Sequence, residues 1–268
     1  MKLIAIEGID GAGKGTQAKL LRDRLTNDGY RVESISFPQY DNTVSGSLLR
    51  EYLRGDLGPM ESVHPKFAAL AFATDRMESR MLLHAKFNDS DVVIADRYTA
   101  SNIAHQSARR PLLADRESLK AWITKLENDF SHPSKADLTF LVDIPVCVAI
   151  ERIQLRYKGT EKKPDLHESR PEYLMTVREV YLDLARSLGW TVINGTLPPE
   201  AVAKKIHEQS IAMLSSNCVD PDALNRVARA IHKEWSEKSW DDASASDHAD
   251  AYREAAAAIN AMHRKPRA

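Results

Sequence analysis

The run Gly8-Ile9-Asp10-Gly11-Ala12-Gly13-Lys14-Gly15-Thr16 follows a short apolar segment, Leu3–Glu7, and opens a helical pattern that extends to about Asp28. A strand, a glycine-rich turn and a helix start, in that order, constrain the fold more than anything else in the chain. Glycines let the backbone curl so that successive N–H groups converge on one point. The helix N-terminus adds partial positive charge there, and Lys14 adds a mobile point charge. Such a loop cradles the β- and γ-phosphates of a nucleoside triphosphate.

Apolar runs of strand length then alternate with helical patterns, as in a parallel sheet wrapped by helices. Strands are expected at about residues 3–7, 32–36, 92–95, 138–142 and 191–193, each rich in Val and Ile. Among the helices expected between them are one uninterrupted helix over about 65–87 and another over about 116–128. The fold class is α/β: a P-loop NTPase fold, with a five-stranded parallel sheet covered by helices on both faces. Composition shifts after Leu214, which divides the chain into a domain over 1–214 and an appendage over 215–268. In the appendage, residues 215–218 read as a linker, and Asp220-Pro221 as a helix cap followed by proline in the first turn. Two helices are expected, the first carrying Val227, Ala228 and Ile231, the second running from about 247 to 263 with Tyr252 and Ala255 on one face. His232 and His248 are expected on helix surfaces, and residues 264–267 are expected to fray.

Lys plus Arg number 37 against 38 for Asp plus Glu, a balance that argues against a chain built to coat nucleic acid. The two cysteines, Cys147 and Cys218, form no CxxC pair or metal-ligand spacing, which suits a reduced cytoplasm. Glu7 and Gly8 interrupt the N-terminal apolar run too early for a signal peptide, and no stretch reaches membrane-spanning length. A soluble, cytoplasmic protein is expected.

Asp96-Arg97-Tyr98 falls at the carboxyl end of the third expected strand, the edge where ligands gather in open α/β sheets. Asp96 is suited to the shell of a magnesium ion, and Arg97 to neutralising phosphates being joined. Phe72 and Arg76 are four residues apart on a helix and share a face, as needed to stack a base and bond its carbonyl edge.

Together, Glu-Gly-Ile-Asp-Gly-Ala-Gly-Lys, Phe-Pro-Gln-Tyr, Phe-Ala-Thr-Asp-Arg and Asp-Arg-Tyr-Thr-Ala-Ser-Asn-Ile-Ala-His-Gln closely resemble thymidylate kinases over about residues 1–214. The resemblance implies that Asp10 contacts the substrate sugar, that Phe72 stacks the thymine and that Arg76 bonds its carbonyl. It implies that Phe37, Tyr40 and Arg50 form the wall and phosphate contacts of the acceptor pocket, with Ser101 and Gln106 near the base. Arg97 would bridge the acceptor phosphate and the γ-phosphoryl group. Where many relatives have Phe-Pro-Arg-Tyr and Ala-Tyr-Gln, this chain has Gln39 and His105. A lid is implied at about 152–168. Because the loop position that carries a catalytic arginine in some relatives is Gly11, the lid should supply one: Arg156 first, Arg152 second.

The implied reaction is ATP plus dTMP giving ADP plus dTDP, with Mg²⁺ as cofactor and a homodimer as the usual assembly. The residue after Lys14 is Gly15 where the general motif has Ser or Thr, as in adenylate kinase loops, so the magnesium candidates are Asp96 and Thr16. Two rivals stand beside this reading. One is a kinase of dUMP, dGMP or a broader set on the same scaffold. The other is a non-catalytic ATP-binding protein whose C-terminal helices bind a partner.

Overall fold

The computed structural model describes residues 2–131, 135–161, 163–215, 221–235 and 240–263. The chain divides into two compact units, Met1–Ala212 and Met213–Ala268.

The first unit is built on β1 (Lys2–Glu7), β2 (Val32–Ser36), β3 (Val92–Asp96), β4 (Leu138–Asp143) and β5 (Thr191–Asn194). They pair in parallel in the order β2-β3-β1-β4-β5. The three inner strands are continuous apolar runs because both their faces are covered; Ile4, Ile6, Val93, Ile94 and Phe140 are all buried. Around the sheet run α1 (Lys14–Asn27), α2 (Val44–Arg54), α3 (Pro65–Glu78), α4 (Arg80–Asp89), α5 (Thr99–Ser107), α6 (Leu113–Leu126), α7 (Val146–Tyr157), α8 (Pro171–Leu188) and α9 (Pro199–Ser215).

Two expected helices differ. The single helix over 65–87 is divided at Ser79, whose hydroxyl donates to the Asp75 carbonyl at 2.7 Å, a back-bond that bends helices. The helix expected over 116–128 ends at Leu126 and passes into a π-helical turn, Glu127–Ser131. That widened turn carries Glu127 into the site described below.

Strand order decides which loops meet. β1 and β3 are neighbours, with Ile6 beside Asp96 in register. The Arg97 N–H donates to the Ile6 carbonyl at 3.1 Å, and the Phe37 N–H donates to the Asp96 carbonyl at 3.1 Å. The segments leaving β1, β2 and β3 are thus held at one edge of the sheet.

In the second unit, α10 (Pro221–Trp235) and α11 (Ala245–His263) pack on each other. Ala228, Ala251 and Ala255 are buried between them, flanked by Val227, Ile231, Trp240 and Tyr252. His232 is buried rather than on the surface, with its ring edge-on to Trp240 at 5.4 Å. Trp240 in turn stacks on His248 at 4.4 Å. Most of the expected linker, the cap at Asp220 and residues 264–267 lie outside the described residues. Among the described residues, no helix is long and apolar enough to cross a membrane.

Candidate active site

The loop after β1 begins α1 with Gly13 in a left-handed conformation, φ 92°. Lys14 is buried, and its ammonium donates to the Ile9 carbonyl at 2.8 Å across the loop. Burial, then repulsion from Arg97, pull its pKa down to about 8. Gly11 has φ 79°, and a Cβ there would stand 2.6 Å from the Ala149 carbonyl of α7. No arginine can grow from that loop position without displacing α7, so any second arginine must come from elsewhere.

Arg97 also has a left-handed backbone, φ 67°, a conformation that costs energy for a residue other than glycine. It turns the guanidinium back over the loop, where it pairs with Asp10. Burial works against ionisation of Asp10, but Arg97 and Lys14 outweigh it and hold the carboxyl well below the usual carboxylate range. Beneath Arg97 lies Glu7, fully buried, accepting from the Tyr98 N–H at 2.8 Å, the Ser101 hydroxyl at 2.7 Å and the Tyr181 hydroxyl at 3.1 Å. Burial raises its pKa while those donors oppose the shift.

Asp10, Phe37, Tyr40 and Phe72 line a cavity of about 270 Å³. Arg76, Arg97, Ser101 and Arg156 complete the set of predicted residues in its wall. Arg76 is buried and held by Glu127: its Nε donates to one carboxylate oxygen at 3.0 Å and its Nη2 to the other. The Asn102 amide donates to the same carboxylate at 2.6 Å. The guanidinium also lies 5.9 Å from the centre of the Phe37 ring. The wall thus combines the Phe37, Tyr40 and Phe72 rings with three guanidinium groups, and Asp10 and Arg97 join it to the phosphate loop.

Of the residues predicted for the acceptor pocket and the lid, three lie outside that wall, and of the phosphate loop only Asp10 reaches it. Arg50 pairs with Asp41 and covers the Tyr40 ring at 5.5 Å. Gln106 is buried and accepts from Arg109 at 3.0 Å. Arg152 donates to the Gly195 carbonyl at 3.0 Å, at the carboxyl end of β5. Gln39 is turned inward, its amide donating to the Ser36 carbonyl at 2.5 Å and its oxygen accepting from Asn42 at 2.7 Å.

The segment expected as a lid adds groups that sequence reasoning did not assign to the pocket. Tyr157, Asp165, His167 and Glu168 all line it. His167 is buried and stacks on His105 at 4.9 Å; burial lowers its pKa to about 4, which leaves it neutral. Burial, and then the charge of Asp10, push Asp165 up to about 7. This turn is docked: the Leu166 N–H donates to the Leu53 carbonyl at 2.9 Å, and Leu166 packs against the cluster formed by Leu49, Tyr52, Leu53 and Ala68.

For a hard cation the relevant group is Asp96. A Cβ on Gly15 would lie 3.1 Å from its Oδ2, so the carboxylate sits against the loop position where the general motif has Ser or Thr. Among the described residues its carboxylate has no hydrogen-bond or ion-pair partner, and Thr16 nearby is exposed. Nor do the described residues contain a group of three or more His, Cys, Asp or Glu that could hold a metal alone. One carboxylate beside a phosphate site fits magnesium, which binds through few protein oxygens, substrate phosphates and water.

The family model for thymidylate kinase matches residues 6–206. A probable thymidylate kinase from Pyrobaculum aerophilum is 35% identical over 210 residues, 78% of this chain and 95% of the relative. One from Thermococcus kodakarensis is 36% identical over 219 residues, 80% of this chain and 97% of the relative. The thymidylate kinase of Mycobacterium tuberculosis is 32% identical over 205 residues, 75% and 95% of the two chains. With the phosphate loop, the Asp10–Arg97 pair and the aromatic pocket all inside the matched span, the chain belongs to the thymidylate kinase family.

Proposed function

We propose that the chain transfers the γ-phosphoryl group of ATP to the phosphate of dTMP, giving ADP and dTDP. The observation that carries this reading is the meeting of the phosphate loop, Arg97 and the Phe72–Arg76 pocket around one cavity. An oxygen of the acceptor phosphate attacks the γ-phosphorus as the bond to the ADP oxygen breaks. No general base is needed, because the acceptor is already an anion at neutral pH. Phosphoryl transfer then depends on positioning and on neutralising charge. Lys14 and the amides from Gly8 to Thr16 hold the donor phosphates. Arg97 spans donor and acceptor, and Arg156 supplies the second cation. Phe72 and Arg76 take the thymine, with Phe37 and Tyr40 as walls. Asp10 keeps Arg97 in register and meets the sugar.

Asp96, with Thr16 as a second candidate, would hold magnesium, which neutralises phosphate charge when bound. These substrates suit an enzyme of the cytoplasm. We infer a homodimer from the apolar surface of α2 and α3, where Leu48, Phe67 and Leu70 are exposed and line a groove. Sedimentation of Phe67→Glu against the parent tests it. The reaction is tested by ADP release with and without dTMP, on the whole chain and on residues 1–212. Release that requires dTMP in both supports the reading; release indifferent to dTMP overturns it.

A further inference from the structure

We propose that Glu168 is the positioning residue for Arg156, holding its guanidinium ready for phosphoryl transfer when the lid turn is docked. This rests on the reading of Arg156 as the lid arginine. The two side chains are unequal: that of Glu168 is 5% exposed and that of Arg156 52%. A buried, fixed carboxylate thus grips the end of a long, exposed chain that would otherwise sample many rotamers. Arg156 Nη1 donates to Glu168 Oε1 at 2.7 Å. Among the described residues its other N–H groups have no hydrogen-bond partner, which leaves them to phosphate oxygens.

The carboxylate is itself fixed from two directions. The Tyr157 hydroxyl, at the end of α7, donates to Oε2 at 2.7 Å. The Asp165 N–H donates to the same oxygen at 3.3 Å, while Asp165 Oδ1 accepts from the His167 and Glu168 N–H groups at 2.8 Å each. This reciprocal pattern is the geometry of a capping box. It ties Glu168 to a turn that Leu166 anchors on α2. Docking of the turn and orientation of Arg156 are therefore joined through one carboxylate, so a lid that has not docked leaves the arginine unheld. Preorganisation of this kind lowers the barrier to transfer without adding affinity for the acceptor.

The test compares kcat and KM for dTMP in the full chain and in Glu168→Gln, Glu168→Ala, Arg156→Ala and the double variant Arg156→Ala/Glu168→Gln. Glutamine keeps an oxygen for Tyr157 and the shape of the side chain but loses the charge that grips the guanidinium, so it serves if the alanine variant does not fold. The Glu168 variants are expected to lower kcat by about ten- to a hundredfold, with KM within about twofold. Arg156→Ala should lose at least as much, and the double variant should be no slower than Arg156→Ala alone. Multiplying losses in the double variant, or a raised KM with unchanged kcat in Glu168→Gln, overturns the proposal and leaves the role of Arg156 standing. Unchanged kcat in Arg156→Ala overturns both.

Discussion

Arg97 pairs with Asp10 from a left-handed backbone, so the residue after β3 reaches back over the loop after β1. Adjacent strands bring the two segments together, and the strained backbone turns the guanidinium toward the phosphates instead of solvent. The strain persists because Glu7, Ser101 and Tyr181 hold the surrounding backbone and side chains in a buried network.

If Arg97 spans donor and acceptor, Arg97→Ala lowers kcat by about 10²–10³-fold, the scale for removing one group aimed at developing charge. The melting temperature should stay close to that of the parent. Steady-state kinetics beside a circular-dichroism melt checks both; near-normal turnover removes Arg97 from the mechanism.

Arg76, in the cavity wall, forms a buried ion pair with Glu127 behind it. Arg76→Met leaves that carboxylate without its cation and should cost about 3–5 kcal/mol in denaturant unfolding, the scale for breaking a buried pair. It should also raise KM for dTMP. Adding Glu127→Gln should recover much of the stability without recovering KM, because on the proposed reading only the arginine meets the base. Recovery of both would make the pair purely structural.

The low pKa of Lys14, about 8 in the free enzyme, sets a pH dependence for the donor. The ammonium is charged below that value and attracts phosphate. As pH rises past it, binding of ATP must take up a proton again, so KM for ATP is expected to be level below about pH 8 and to climb above it. A KM profile flat to pH 10 contradicts this.

The Asp165 pKa is shifted upward where that of Lys14 is shifted downward. Docked in the lid, it holds its proton up to about pH 7, whereas in solvent it ionises near the usual value of about 4. The docked state therefore binds more proton between these limits: docking is strongest below about pH 4 and weakens as pH climbs through about 7. Asp165→Asn keeps the capping oxygen and should remove the dependence. Hydrogen-exchange protection of the Leu166 amide, which is bonded to Leu53, reports docking at each pH.

Reading from the chain succeeded where rules are local. Five apolar runs became five strands, and the turn from Gly8 to Thr16 joined a strand to a helix. It did less well where side chains act over distance. Ser79 looks like any helix residue until its hydroxyl finds the Asp75 carbonyl. Glu127 is 51 residues from Arg76, and only a π-helical turn brings it inward, a local distortion with no periodic signature. The resemblance implied a lid over about 152–168, but the capping pattern of Asp165 and Glu168 within it takes its meaning from the docking of Leu166 on α2. His105 read as a departure from a motif; its stacking on His167 depends on the same docking.

The central claim is that the phosphate loop and the Asp96-Arg97 segment serve one pair of phosphates, and radiolabel transfer from γ-labelled ATP tests it most directly. With dTMP, dUMP, dGMP or no acceptor supplied in turn, label is expected chiefly in dTDP, with little release to inorganic phosphate when no acceptor is present. Label appearing only in inorganic phosphate, or at equal rates in every nucleotide, would contradict the account.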